Sequence, residues 1–342
     1  AVIAGPTPGW GFGPDLLDQV RAAPLKWYEA ERLNIVSLVR QAAENRLCEP
    51  SWELATGAIV LFGTRSHYDD WRETHERAFQ VSRAADDQRG TAAALLGLGD
   101  LNVTQQRYAT GLSFLNKALD LTRRIGEWHG YGLVLRKIAY ANAQSRDSRL
   151  ALLQYEEALQ HLRAAGDRGA EAQVLRWIGQ LHLESDEPEL ARPYLFEAVT
   201  LTSEVGGRSY AQALYRLGEL ELTTGRVQQA EEIFRTVLTI VLDIGDRRGQ
   251  AHALYGLGRA LLNLRRTGQA DLHLHEALSL CRTIGDRVIE VEVLLSLSDL
   301  HAFLHQVDRA AARAREAIDI CRTISTPVLF SSAVTRLSAL AS

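Results

Sequence analysis

Along most of the chain, apolar positions recur at helical spacing, and that arrangement itself recurs about every 40 residues. A leucine, an apolar residue three places on and a small residue directly after it appear as Leu95–Leu98–Gly99, Leu135–Ile138–Ala139, Leu175–Ile178–Gly179, Leu214–Leu217–Gly218, Leu254–Leu257–Gly258 and Leu294–Leu297–Ser298. The small residues stand 40, 40, 39, 40 and 40 places apart. Offsets of three and four put these side chains on one face of an α-helix. Twelve places after each small residue comes another, Gly111, Ala151, Ala191, Ala230, Ala270 and Ala310. Nineteen places after come Ala118, Ala158, Ala198, Val237, Ala277 and Ala317. Between these last two columns lies a mostly large residue, Leu115, Tyr155, Leu195, Phe234 and Leu274, with Ala314 the exception. Each period therefore predicts two amphipathic helices. Small residues let the second cross close to the first, and Gly258 and Ala277 are expected to face each other at one such crossing.

Turn chemistry punctuates the pattern. Gly166, Gly245 and Gly285 are each followed by Asp-Arg, and weaker relatives occur at Asp86 and Gly126. Glycine suits the left-handed residue that ends a helix. The aspartate then stands where it can cap the next helix. The final stretch places Val328, Leu329, Val334 and Leu337 on one stripe, with Phe330 off it.

The columns resemble the tetratricopeptide repeat, carried in one unit by Leu254, Leu257, Gly258, Leu261, Ala270, Leu274 and Ala277. That family's usual period is about 34 residues, so each pair here carries about one and a half extra turns. The resemblance implies an all-α fold, a right-handed superhelical solenoid of antiparallel helix pairs. Residues 1–24 read as a Gly/Pro-rich arm, 25–85 as a helix plus a degenerate repeat, 86–324 as six repeats and 325–342 as a capping helix. The segment from Trp27 to Ala43 is similar to the one that opens the repeat domain of actinobacterial antibiotic-regulatory transcription factors of the signal-transducing ATPase type. Asp69, Asp70 and Trp71, followed by Thr74 and His75, are similar to that family's first repeat. The resemblance implies a sensor or interaction domain of a multidomain regulator. The alternatives are a free-standing scaffold or peptide receptor, or a small-molecule sensor.

Composition narrows the function. Lys plus Arg is 38 and Asp plus Glu is 42, a net charge of −4, which argues against a nucleic-acid surface. No leader is expected from the opening residues and no apolar run reaches membrane length, so a cytoplasmic location is expected. The chain has no Met, and an excised or processed piece is the expectation. Cys48, Cys281 and Cys321 form no disulfide framework. Cys281 and Cys321, at equivalent places in stacked helices, should be too far apart to bridge.

No constellation for catalysis, cofactor or metal emerges, and a non-catalytic role is expected. Gly9-Trp-Gly-Phe-Gly13 lacks the strand and the Gly-Lys-Ser/Thr of a phosphate loop. His301 and His305 have metal-ligand spacing without a third ligand. His301 sits in an interior column with Asn102, Asn142, His182, Glu221 and Leu261.

In the family, first helices line the binding groove. Residues beside the core columns would point into it: Arg136, Tyr140, Gln173, Arg176, Gln180, Gln212, Tyr215, Glu219, His252, Tyr255, Arg259 and Asn263. A solvated helix face would carry the same residue types. Against that, Arg136 and Arg176 are repeat equivalents, as are Tyr215 and Tyr255. Arginine offers paired donors and tyrosine rigid amphipathic contact, so a protein or peptide partner is expected, acidic or presenting a terminal carboxylate. Other domains of the same regulator are further candidate partners.

Overall fold

The computed structural model describes residues 24–145, 147–324 and 326–340. The expected arm up to residue 23, with its Gly9–Gly13 run, lies outside them. The regular elements of the described residues are all α-helices. They are α1 (Pro24–Glu44), α2 (Cys48–Gly57), α3 (Ile59–Arg65), α4 (Tyr68–Ala84), α5 (Gln88–Thr104), α6 (Tyr108–Arg124), α7 (Trp128–Gln144), α8 (Ser148–Ala164) and α9 (Arg168–Glu184). There follow α10 (Pro188–Ser203), α11 (Gly207–Thr223), α12 (Val227–Asp243), α13 (Arg247–Asn263), α14 (Thr267–Ile284), α15 (Arg287–Phe303), α16 (Val307–Ile324) and α17 (Pro327–Ala339). Contacts divide the chain into two compact units, one up to Val174 and one from Leu175.

From Gln88 onward the helices alternate as first and second members of pairs. First helices begin at Gln88, Trp128, Arg168, Gly207, Arg247, Arg287 and Pro327, at intervals of 40, 40, 39, 40, 40 and 40. The short interval is absorbed by α10, which has 16 residues where its counterparts α6, α8 and α12 have 17. Three-residue turns leave each pair no choice but to run antiparallel.

The turns follow the expected chemistry. Gly166, Gly245 and Gly285 have φ of 70°, 68° and 73°, left-handed values that cost a glycine nothing. Asp87, Asp246 and Asp286 each accept a hydrogen bond from the backbone N–H three residues on, satisfying a donor the helix cannot. The capping acid's second oxygen is used as well. Within the N-terminal unit His129 Nε2 is 2.9 Å from Asp167, and within the C-terminal unit Arg208 and Arg248 reach Asp246 and Asp286 at 3.0 and 2.8 Å. Each of these partners stands two residues past the cap position of the preceding first helix, so these three caps are also tied to a neighbouring pair.

All the core columns read from the sequence are buried, and the interior column of His301 is buried except at Asn142. The crossing geometry differs from expectation in one respect. A Cβ on Gly99, Gly179, Gly218 or Gly258 would meet Leu115, Leu195, Phe234 or Leu274 at 2.5–2.7 Å. Gly258 thus faces Leu274, not Ala277: the large side chain of the second helix fills the space that the glycine leaves. Where the small residue is Ser298 the opposing column holds Ala314, and the Ser298 hydroxyl donates to the Ala310 carbonyl at 2.9 Å.

In the N-terminal unit, Ile35, Val36, Leu61, Phe62, Trp71 and Leu101 form a core of their own. At the other end, Leu329, Phe330 and Leu337 of α17 pack on the core of the C-terminal unit. Phe330 therefore belongs to the docked face. Of the expected stripe, Leu329 and Leu337 dock, while Val328 and Val334 are 62% and 39% exposed.

Candidate functional site

Successive first helices of the C-terminal unit, α11, α13, α15 and α17, lie side by side. Their shared face carries the candidate site. Tyr215 and Tyr255, one period apart, are buried with only 7% and 8% of their surface exposed. Each has a guanidinium over its ring, Arg216 at 5.6 Å and Arg259 at 5.3 Å from the ring centroids. Arg216 also donates to Glu219, and Arg259 lies 4.0 Å from the same carboxylate. His252 meets the Tyr215 ring edge-on at 5.3 Å.

Beyond Arg259 an open-sided cavity of about 330 Å³ lies between α13, α15 and α17. Tyr255, Arg259 and Asn263 form one wall, Glu292, Ser296 and Asp299 the second, and Leu329, Ser332 and Arg336 the third. Arg336 binds Asp299 through two nitrogens, at 2.7 and 3.0 Å. Asn263 donates to the Arg259 carbonyl at 2.9 Å.

Burial shifts the titrating groups here. Desolvation, followed by the charge of Glu219, pushes Glu292 up to about 7, against the opposing pull of Arg259 and Arg216. Desolvation, aided by Arg248 and Arg216, holds His252 down at about 4. Both tyrosines are raised, chiefly by desolvation. Among the described residues none of this assembles a nucleophile with a base; it makes a face of fixed charge held over two buried rings.

The remaining predicted residues are placed as follows. In the N-terminal unit, Arg136 donates to Gln173, and Tyr140 is half-buried. In the C-terminal unit, Arg176 stacks over Trp177 at 4.8 Å and Gln180 donates to Glu184 at 2.6 Å. Gln212 and Asn263 are exposed. The structure thus gathers Tyr215, Glu219, His252, Tyr255 and Arg259 into one neighbourhood. The expected acidic partner rested on Arg136 and Arg176; Arg136 donates through one Nη to Gln173, and its buried Nε has no partner among the described residues. Sequence reasoning missed Arg216, Glu292, Asp299 and Arg336. Glu292 is the next member of the column Gln173, Gln212, His252, and Asp299 the next of Gln180, Glu219, Arg259. Following each column one period further would have named both.

His301 is buried, and its Nδ1 lies 3.1 Å from Gln306, while His305 sits in the turn after α15 with φ of 56°. Among the described residues there is no group of three or more His, Cys, Asp or Glu side chains placed to hold a metal ion. Cys281 and Cys321 are buried free thiols. Among the described residues no helix is long and apolar enough to cross a membrane.

The family model for the tetratricopeptide repeat matches residues 90–164, 170–243 and 209–283. Solved structures share the fold at low identity. The apo form of RapI aligns with a TM-score of 0.65 at 14% identity, over 80% of this chain and 98% of that one. The Rap conjugation gene regulator of plasmid pLS20, solved in complex with the Phr* peptide, aligns with a TM-score of 0.56 at 14% identity, over 90% and 95%. PH0952 from Pyrococcus horikoshii, a signal-transduction ATPase with numerous domains and a tetratricopeptide repeat sensor, aligns with a TM-score of 0.53 at 15% identity. That match spans 79% of this chain and 43% of PH0952.

Proposed function

Because this chain belongs to the tetratricopeptide-repeat family, we propose that it is a non-catalytic module that binds a peptide or an extended protein segment along the first helices of its C-terminal unit. The observation that carries this reading is the pair of buried tyrosines, each capped by a guanidinium, leading into a side-chain-sized cavity. A pocket edged by fixed charge and backed by rigidly held rings is where a peptide anchor docks. The Rap regulator bound to a peptide shares the fold and supports the same class of ligand. A small-molecule sensor fits less well, since such sites are mostly apolar and this cavity is walled largely by polar side chains.

The finer reading is a sensor domain within a multidomain bacterial transcriptional regulator. The Trp27–Ala43 segment and the likeness to a signal-transduction ATPase with a repeat sensor support it. A displayed peptide library panned on the full chain tests the binding reading. Selected peptides should lose affinity at least tenfold, about 1.4 kcal/mol, against Tyr255→Ala and Arg259→Ala variants of unchanged helicity. Peptides that bind both variants as tightly as the wild type would remove the site from this face.

A further inference from the structure

We propose that the cavity between α13, α15 and α17 is a cation subsite, in which Glu292 receives the ammonium or guanidinium group of a peptide ligand. The inference rests on the peptide-binding reading and adds the chemistry of one anchor.

A donor and acceptor inventory of the walls decides the sign. Arg336 is closed on Asp299 through two hydrogen bonds. Arg259 lies over the Tyr255 ring and against Glu219. The Asn263 amide N–H₂ is turned to the Arg259 carbonyl, leaving its oxygen for the cavity. Glu292 stands apart: among the described residues no hydrogen bond or ion pair reaches its carboxyl group, though it lines the cavity. Each wall arginine lies against an acid while the Glu292 carboxyl has no partner among the described residues, so the complementary guest carries positive charge. A carboxylate guest would have to displace Asp299 from Arg336 and would still face Glu292.

The electrostatics agree. The charged and titratable groups around Glu292 are Arg216, Glu219 and Tyr215 on α11, His252, Tyr255 and Arg259 on α13, Asp286 before α15, Asp299 on α15 and Arg336 on α17. Burial and the two acids Glu219 and Asp286 raise Glu292 to about 7 despite two arginines. Near neutral pH it therefore carries a proton part of the time. A cation placed against it favours the carboxylate, so binding should release that proton to solvent.

The test uses the full chain with ¹³C-labelled glutamate carboxyls, titrated by NMR alone and with n-butylammonium, n-butylguanidinium or butyrate. The Glu292 signal is assigned by its absence in Glu292→Gln. Either cation should lower the Glu292 midpoint by about 1–3 pH units, the usual effect of an adjacent cation on a carboxylate; butyrate should not. The wild-type titration stands even if the variant folds poorly, because its midpoint near neutrality separates it from exposed glutamates. Two peptides then separate the sources, one with an acetylated amino terminus and a lysine, the other with a free amino terminus and no lysine. Whichever lowers the midpoint identifies the guest group. A midpoint raised by butyrate would make the cavity an anion site, and one unmoved by every cation would leave no site; either result overturns the proposal. Peptides that need Tyr255 and Arg259 yet leave Glu292 unmoved would sink this inference alone and spare the binding reading.

Discussion

In the N-terminal unit both cations between first helices reach across to a neighbouring first helix: Lys137 holds Asp100 at 2.7 Å, and Arg136 donates to Gln173. In the C-terminal unit Arg216 takes Glu219 and Arg336 takes Asp299, but Glu292 is left over beside a cavity. The same helix pair, repeated, thus makes a closed seam in one unit and an open one in the other. A half-buried carboxylate without a partner is a cost the fold does not need, and that cost is the ground for proposing a ligand at the open seam. A second contrast lies in the core. Both units use a glycine to admit a ring from the preceding second helix. Gly97 receives His75, where a Cβ would stand 1.9 Å from the imidazole, and Gly256 receives Phe234, at 2.6 Å. One ring is ionisable and the other is not.

The largest effect expected from that contrast comes from emptying the apolar slot. Phe234 is fully buried and fills the space left by both Gly218 and Gly256. With glycine at both facing positions, neither has a side chain to relax into the gap. Phe234→Ala should therefore cost about 3–5 kcal/mol in urea unfolding. Repeats couple chiefly to their neighbours, so hydrogen exchange should accelerate first in α11 to α14. Equal acceleration in α5 to α8 would contradict a nearest-neighbour array.

Acid should break the other unit. Burial holds His75 at about 4, against an ordinary 6.5. Its Nδ1 lies 2.9 Å from the Trp71 carbonyl, while its Nε2 has no partner among the described residues. The folded state keeps this base neutral, and the unfolded chain protonates first. The stability it contributes is present above about pH 6.5 and is lost as pH falls toward 4, up to about 3 kcal/mol in all. In the C-terminal unit His252 slopes the same way, but Glu292 opposes it. A raised acid stabilises below its unfolded value of 4.5, and that contribution fades as pH rises through 7. Between pH 4.5 and 6.5 the two largely cancel. Exchange protection measured from pH 7 to 4.5 should therefore fall in α4 and α5 before it falls in α13 and α15. The reverse order would mean that His75 is not kept neutral.

How much of this could be read from the chain follows from what repeats. Every core column was legible, because burial imposes one residue class at one spacing six times over. The caps were legible for the same reason. The partner of Gly258 was not. Spacing says which residues share a face, but which residue of the facing helix fills a gap depends on side-chain length and rotamer, and Leu274 reaches where Ala277 cannot. The site was legible in part. Tyr215, Tyr255 and Arg259 stand out as repeat equivalents or flanking groups, whereas Glu292 was overlooked because its column changes identity from glutamine to histidine to glutamate. Pairings such as Arg136 with Gln173 link helices 37 residues apart, and no local pattern records them.

The crossing offers the next test. A Cβ on Gly258 would lie 2.6 Å from Leu274, so Gly258→Ala should cost about 1–3 kcal/mol by overpacking. The chain already contains the compensated version of this contact, Ser298 opposite Ala314. Leu274→Ala alone leaves a cavity, but added to Gly258→Ala it removes the clash. The double variant should then be more stable than the sum of the single losses by about 0.5–3 kcal/mol, the range for residues in contact. Strict additivity in thermal unfolding would show that the two positions do not meet.

The smallest effect concerns the caps, where one aspartate does two jobs. Asp246 accepts from the Gly249 N–H at 3.0 Å through one oxygen and pairs with Arg208 at 3.0 Å through the other. The first contact belongs to α13 alone, and the second ties α13 to α11. Asp246→Asn keeps a capping oxygen but gives up the charge, so it removes most of the tie and little of the cap. An ion pair this exposed is worth about 0–1 kcal/mol. Asp246→Ala removes both, and a lost cap adds about 1 kcal/mol. Melting in low and high salt separates the parts. The gap between wild type and Asp246→Asn should narrow as salt screens the pair, while the gap between Asp246→Asn and Asp246→Ala should stay constant. In the N-terminal unit the equivalent tie is made by His129 to Asp167. There Asp167→Asn should lose a carboxylate that the His129 hydrogen bond, above all, holds below the ordinary range, so that tie should weaken in acid as the carboxylate protonates. A salt-independent gap at Asp246 would reduce the tie to a neutral hydrogen bond and leave the two units alike in how their pairs are joined.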